Sequence, residues 1–300
     1  MNLKKSVATL VSVQTEMLRS VLAVVWIVIF LSVNTALAQT TSLSKDKYSL
    51  FQPTPQDLMR EFNPDRPGVT NTPYTVDAGH FLLEFEWVNF SDTKADGVET
   101  ELLNFPALTI RAGLTDESEI RIAWTSQTCQ WTAANNGAKN RVSGMGDLTL
   151  FYKYNLLGNE GGPFGVALLP GIKIPTNTNG IGNQKLEQTF MLPFGIELPH
   201  DWSINFMPEI DIRKNESNDA LHAEINSSIN LGHQLFNALA GYLEFVSHSS
   251  DEPGSRMNLF IGAGITLKVA KNMQFDIENN FGLNSVIPSK NFIAGWAIRF

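Results

Sequence analysis

The 300-residue chain carries 22 Lys and Arg against 30 Asp and Glu, a formal net charge of −8. That balance excludes nucleic acid as a partner and disfavours electrostatic docking on an anionic membrane surface. Cys129 is the single cysteine, so no intramolecular disulfide and no multi-cysteine metal site can form.

Lys4, Lys5 and Arg19 precede a nearly continuous apolar run from Val21 to Val33, which ends in Thr35-Ala36-Leu37-Ala38. Basic, apolar and small-residue regions in that order make residues 1–38 a secretory signal with predicted cleavage after Ala38. The apolar run, about thirteen residues, is shorter than the roughly twenty a spanning helix needs. The long basic region leaves Met17 as an alternative start, and Gln39 in place of Cys argues against a lipoprotein. Removing Lys4, Lys5, Arg19 and Glu16 with the signal leaves 19 basic and 29 acidic residues, a net −10.

Residues 39–79 show no periodicity. Pro53, Pro55, Pro64, Pro67 and Pro73 mark them as irregular, either a periplasmic tail or a segment folded into a barrel mouth. From residue 80 to 300 apolar side chains recur with period two, which places them on one face of a strand. Trp202, Ile204, Phe206, Pro208, Ile210 and Ile212 share one face, and Ser203, Asn205, Met207, Glu209, Asp211 and Arg213 the other.

Similar stretches fall near 80–90, 100–112, 118–126, 146–156, 164–174, 187–198, 220–231, 235–246, 258–268, 273–281 and 292–300. The expectation is all-β: a transmembrane antiparallel up-and-down barrel of about twelve strands, with ten and fourteen as alternatives. A soluble sandwich also alternates, but its strands usually run only about five to six residues. Short turns near 113–117, 157–163, 199–201, 232–234 and 269–272 alternate with longer polar connections near 91–99, 127–145, 175–186, 214–219, 247–256 and 284–290. That rhythm fits periplasmic turns and extracellular loops. Trp87, Phe90, Trp124, Tyr154, Phe164, Trp202 and Trp296 fall near strand ends, where interfacial girdles form.

The residues also carry a resemblance. Asp65-Arg66-Pro67, Thr72-Pro73-Tyr74-Thr75-Val76 and Gly79-His80-Phe81 open it. Ile110-Arg111-Ala112-Gly113-Leu114-Thr115-Asp116, Glu119-Ile120-Arg121, Gly144-Met145-Gly146-Asp147-Leu148 and Tyr152-Lys153-Tyr154 follow. Ile172-Lys173-Ile174-Pro175-Thr176, Gly241-Tyr242-Leu243-Glu244 and Ile298-Arg299-Phe300 complete it. Over roughly 60–300 the chain resembles the outer-membrane "transporter" family, also called the MetA-pathway of phenol degradation family. The resemblance implies a Gram-negative outer-membrane barrel that passes hydrophobic or aromatic compounds. The terminal aromatic separately resembles the signal read by the barrel-insertion machinery, which is expected to comprise Trp296, Ile298 and Phe300.

If the apolar faces meet lipid, the opposite faces line a lumen. Glu84, Glu86, Glu119, Asp147, Glu197, Glu209, Asp211, Glu224, Glu244, Asp276 and Glu278 are its acidic candidates. Arg111, Arg121, Lys153, Lys173, Arg213, Lys268 and Arg299 are the basic ones, with His222 beside them. Charges of both signs in a narrow barrel pair with one another, and the acidic surplus would bias passage toward cations or neutral solutes. Phe151, Leu169, Met191, Met207, Tyr242 and Phe260 offer a modest apolar patch for a hydrophobic solute. From position, Asp65, Arg66 and Pro67 could plug the periplasmic mouth.

Other chemistry is weakly signalled. His248-Ser249-Ser250, with Asp251 and Glu252 as orienters, has the His-x-Ser spacing of barrel lipid hydrolases, but ordinary loop polarity explains it better. Ser143-Gly144-Met145-Gly146-Asp147 lacks the Lys-Ser/Thr pair of a phosphate loop. His80, His200, His222 and His233 show no metal spacing. The reading is therefore a non-enzymatic outer-membrane channel without cofactor, partnered by outer-membrane lipid, the insertion machinery and a small solute. A barrel without transport is the alternative.

Overall fold

The computed structural model describes residues 45–300 except 96, 135–138, 183, 216, 217, 253 and 285–287. The signal segment 1–38 lies outside the described residues. Among the described residues sixteen strand segments form one antiparallel sheet: β1 Phe81–Ala95, β2 Val98–Asn104, β3 Ala107–Gly113, β4 Ser118–Thr125, β5 Thr128–Ala134, β6 Lys139–Gly144, β7 Leu148–Leu157 and β8 Phe164–Ile174 come first. Then come β9 Glu187–Met191, β10 Phe194–Leu198, β11 Trp202–Lys214, β12 Leu221–Phe236, β13 Leu239–Ser250, β14 Asn258–Ala270, β15 Met273–Gly282 and β16 Pro288–Arg299. β2 with β3, β4 with β5, β6 with β7 and β9 with β10 each make one interrupted stave, which leaves twelve staves.

β1 pairs with β16 from Leu82↔Arg299 to Thr93↔Pro288 and closes the barrel. Phe300 N donates to Phe81 O at 2.8 Å, and His80 bridges Phe300 O and Thr54 O, so the two ends of the barrel chain are tied together. Closure leaves no free sheet edge around the main wall.

The molecule is inside out. Its largest fully buried side chains include Arg111, Lys153, Glu119, Glu187, Glu244, Glu278 and Asp211, while Ile210, Phe190, Leu243 and Ile225 are more than half exposed. A belt of exposed aliphatic and aromatic side chains around a closed sheet suits hydrocarbon as solvent. Trp296 and Ile298 lie on this outer face, Trp296 stacking on Phe85 with centroids 5.4 Å apart, and Phe300 is exposed at its end.

Several expected boundaries are corrected. The connections expected at 91–99 and 127–145 are largely strand, because β1 runs on to Ala95 and pairs with β2, which pairs with β5, then β6. This protruding sheet has polar residues on both faces, so alternation fades in it. The turn expected at 232–234 lies inside β12, where His233 stacks on Trp202 with centroids 4.2 Å apart.

Residues 45–80 form a strap: its first part pairs with 114–115 at the terminal end, where Phe51 is exposed, and the stretch from Arg60 to Asp77 enters the barrel. Phe62 and Val76 pack against Leu82 and Ala297 in the small apolar core that joins the strap to the closure seam.

Candidate functional site: a strap held by buried ion pairs

The strap is extended and proline-rich, so its backbone donors and acceptors need partners that it cannot supply itself. The inward faces of the staves supply them. Lys153 Nζ donates to Thr72 O at 2.6 Å and Tyr74 O at 3.1 Å. Glu119 accepts from Val76 N at 2.6 Å, and Asn155 donates to Pro73 O at 2.9 Å. Glu244 accepts from Val69 N at 2.9 Å, Thr70 N at 2.8 Å and Thr70 Oγ1 at 2.6 Å.

Asp65 is the centre of charge. Its carboxylate meets Lys153 at 2.9 Å, Arg111 at 3.2 Å and Arg121 in a shorter contact. Arg111 and Arg121 converge on Glu119 at 2.9 and 2.6 Å, and Glu84 accepts from Arg111 at 3.1 Å and Asp65 N at 2.9 Å. Burial alone would raise the Asp65 carboxyl, but the charges of Arg111, Arg121 and Lys153 outweigh it and hold the group well below the usual carboxylate range. Arg66 reaches the other way, to Asp276 at 2.7 Å and Glu86 at 2.9 Å. At the terminal end of the barrel Arg60 pairs with Glu160 at 2.6 Å and with Asp116, while Arg299 pairs with Asp77 at 3.2 Å.

A second network lies toward the far end. Arg213 bridges Asp211 at 2.9 Å, Glu187 at 3.0 Å and Glu224 at 3.6 Å, and Lys173 joins Glu187 to Asp147. Glu209 accepts from Thr189 at 3.2 Å beside it. His222 and His248 both face Glu224, at 3.1 and 3.2 Å. His248 is held by Glu224 and by Asn258, the latter 3.3 Å from its other nitrogen.

Of the lumen residues expected from sequence, Glu84, Glu86, Arg111, Glu119, Arg121, Lys153, Glu244, Asp276 and Arg299 meet the strap. Asp147, Lys173, Glu209, Asp211, Arg213, His222 and Glu224 belong to the second network. Glu278 is fully buried in the wall. Glu197, exposed near the terminal end, also meets the strap by accepting from Tyr74 Oη at 3.4 Å and lines the larger cavity, while Lys268 is exposed. Sequence reasoning missed Glu187, although it shares an alternating face with Thr189 and Met191. It also missed Arg60 and Asp77, which no periodicity marks. Among the described residues no group of three or more His, Cys, Asp or Glu side chains could hold a metal ion.

The strap separates two cavities, and Asp65, Arg66 and Gly68 line both. One, about 200 Å³, lies toward the far end against Glu86, Ala107, Ala123, Phe151, Leu169 and Met191. The other, about 440 Å³, lies toward the terminal end against Asp201, Asn205, Asn230, His233 and Tyr242.

A closed, inside-out antiparallel barrel with a charged interior is the architecture of a membrane β-barrel. The chain belongs to the family described as putative MetA-pathway of phenol degradation, whose model matches residues 64–300. That match begins one residue before Asp65. No curated protein matches. Among solved structures the chain is similar to the NanC porin, at 6% identity and a TM-score of 0.46, over 71% of this chain and 98% of that one. It is similar to the translocator domain of autotransporter NalP from Neisseria meningitidis, at 10% identity and a TM-score of 0.48, over 79% and 90%. It is also similar to an anion-selective porin from Comamonas acidovorans, at 7% identity and a TM-score of 0.36, over 74% and 98%.

Proposed function

We propose that the protein is a Gram-negative outer-membrane channel for small molecules, with residues 45–80 as an internal plug that closes the lumen toward the periplasm. The observation that carries this reading is Asp65, held by Arg111, Arg121 and Lys153 between the two cavities. A buried carboxylate with three cationic partners anchors a segment firmly only while all the charges stay paired. The family description supports a solute connected with phenol degradation, and the apolar residues beside the smaller cavity are compatible with one.

Passage then needs the strap to shift, and the acidic wall around Glu209 and Asp211 biases ion flow toward cations. The same anchors also suit a rigid barrel without transport. Single-channel recording in a planar bilayer under a salt gradient separates the two. Discrete steps with a cation-shifted reversal potential support the channel, and silence in both the full chain and a strap-loosened variant supports the rigid barrel.

A further inference from the structure

The barrel wall has a local defect beside the smaller cavity. Between β7 and β8 the pairing runs through Phe151↔Gly171 and resumes at Tyr154↔Leu168, skipping Pro170 opposite Tyr152 and the adjacent Leu169 opposite Lys153. Between β9/β10 and β11 it stops at Met191↔Glu209 and resumes at Phe194↔Phe206, skipping Pro193 and Pro208. β8 shows the same gap, between Leu169↔Met191 and Val166↔Phe194. The register is continuous across every gap, so the interruptions are not slips. They are positions where the ladder lacks proline N–H groups.

Two backbone bonds still cross the region, Leu192 N to Pro208 O and Ala167 N to Pro193 O, each 3.0 Å. Pro170 and Pro208 stand near the middle of β8 and β11. Proline is normally confined to strand ends, edges and bulges, and missing backbone bonds are most costly at hydrocarbon depth. Three prolines within three residues of one another across neighbouring staves, Pro170 standing opposite Phe190, therefore mark a weakened wall, and departures of this kind concentrate at functional sites.

The two sides of the wall match in character. Inside, Phe151, Leu169 and Met191 form the apolar, wall-side lining of the smaller cavity with Met207 buried next to them, while Asp65, Arg66, Glu84, Glu86 and Arg121 line the rest of it. Outside, Phe190 and Ile210 present apolar surface. The strap lies on the terminal side of the cavity. We propose that this proline-weakened stretch of β7–β11 is a lateral portal through which an uncharged lipophilic molecule of about one ring passes between the bilayer and the lumen. The cavity of about 200 Å³ is large enough, since roughly 150 Å³ accommodates benzene. The portal stands on the wall geometry, and it rests on the channel reading only for the onward path of the solute.

The test uses the purified full chain in phosphatidylcholine vesicles containing 3-trifluoromethyl-3-phenyldiazirine, an apolar photoreagent that partitions into the bilayer. Carbene adducts are mapped by peptide mass spectrometry. The portal predicts adducts on the inward Phe151, Leu169 and Met191 as well as on the outward Phe190 and Ile210. Restoring the ladder donors with Pro170→Thr and Pro208→Thr should lower inward labelling at least tenfold relative to Phe190. Should that variant fail to fold, Leu150→Cys with Ile172→Cys in a Cys129→Ser background clamps the β7–β8 seam with every proline kept, a closure that reductant reverses. Inward residues that stay unlabelled, or that label equally with the seam closed, overturn the portal. Conductance of the same preparation tests the channel reading separately: inward labelling in a non-conducting protein removes that reading and keeps the portal.

Discussion

Asp65 and Lys153, 88 residues apart in the chain, meet at 2.9 Å inside the barrel, the first on the strap and the second on β7. Lys153 is fully buried, and its other acceptors are the main-chain oxygens of Thr72 and Tyr74, also on the strap. One lysine thus fixes three points of the strap to the wall.

Neutralising Asp65 leaves three cations short of an anion. Asp65→Asn is predicted to cost about 3–5 kcal/mol, the usual loss on breaking a buried pair, read from denaturant unfolding in detergent. Adding Lys153→Met should recover part of that loss, because the uncompensated ammonium is removed as well. A loss under about 1 kcal/mol for the single variant would show that Asp65 does not anchor the strap.

The pH response follows from the same cluster. Because the folded-state carboxyl of Asp65 is held low, its stabilisation is fully present above the unfolded value of about 3.9 and is lost only as pH falls through the lower folded one. The Asp65 contribution to strap closure should therefore be unchanged between about pH 7 and about pH 5. Asp116, pushed up to about 6 mainly by burial, favours the closed strap further as it is protonated, so single-channel records should show no opening there. Opening within that window would contradict the assignment.

Glu209 and Asp211 lie on the inward face of β11, in the network beyond the strap. Replacing both by Asn should move the reversal potential under a salt gradient toward zero, because fixed negative charge in the wall favours cations. An unchanged potential would assign them to the structural network alone.

Gly295 on β16 gives a steric test. A methyl group there would meet the main-chain oxygen of Phe85 and the guanidinium of Arg66. Gly295→Ala is predicted to destabilise the barrel by about 1–3 kcal/mol, the usual cost of overpacking, and to raise the frequency of channel opening by displacing Arg66 from Asp276. Wild-type stability together with wild-type gating would show that the seam has room to spare.

Much of the barrel is legible in the residues themselves. Alternation from Trp202 to Arg213 marks β11 within one residue of its end, because one face of that strand meets apolar surroundings and the other charge. It fades at Asp92, Thr93 and Lys94, where β1 rises beyond the apolar belt and both faces are polar. Gly232-His233-Gln234 has turn composition yet stays in β12, where the cross-strand stack of His233 on Trp202 overrides local preference. The strap was the least legible part. Its conformation follows from charges on staves far away in sequence, so no local period records it, and only position and the family resemblance point to Asp65, Arg66 and Pro67. Glu187 stood within reach of the alternation but was not singled out.

The central claim, that the strap closes the lumen, is tested most directly by planar-bilayer recording of the full chain beside a variant lacking residues 39–79. Brief or small steps are expected from the full chain, and large, steady, cation-preferring steps from the variant. Equal conductance from a variant that retains heat-modifiable barrel migration would contradict it.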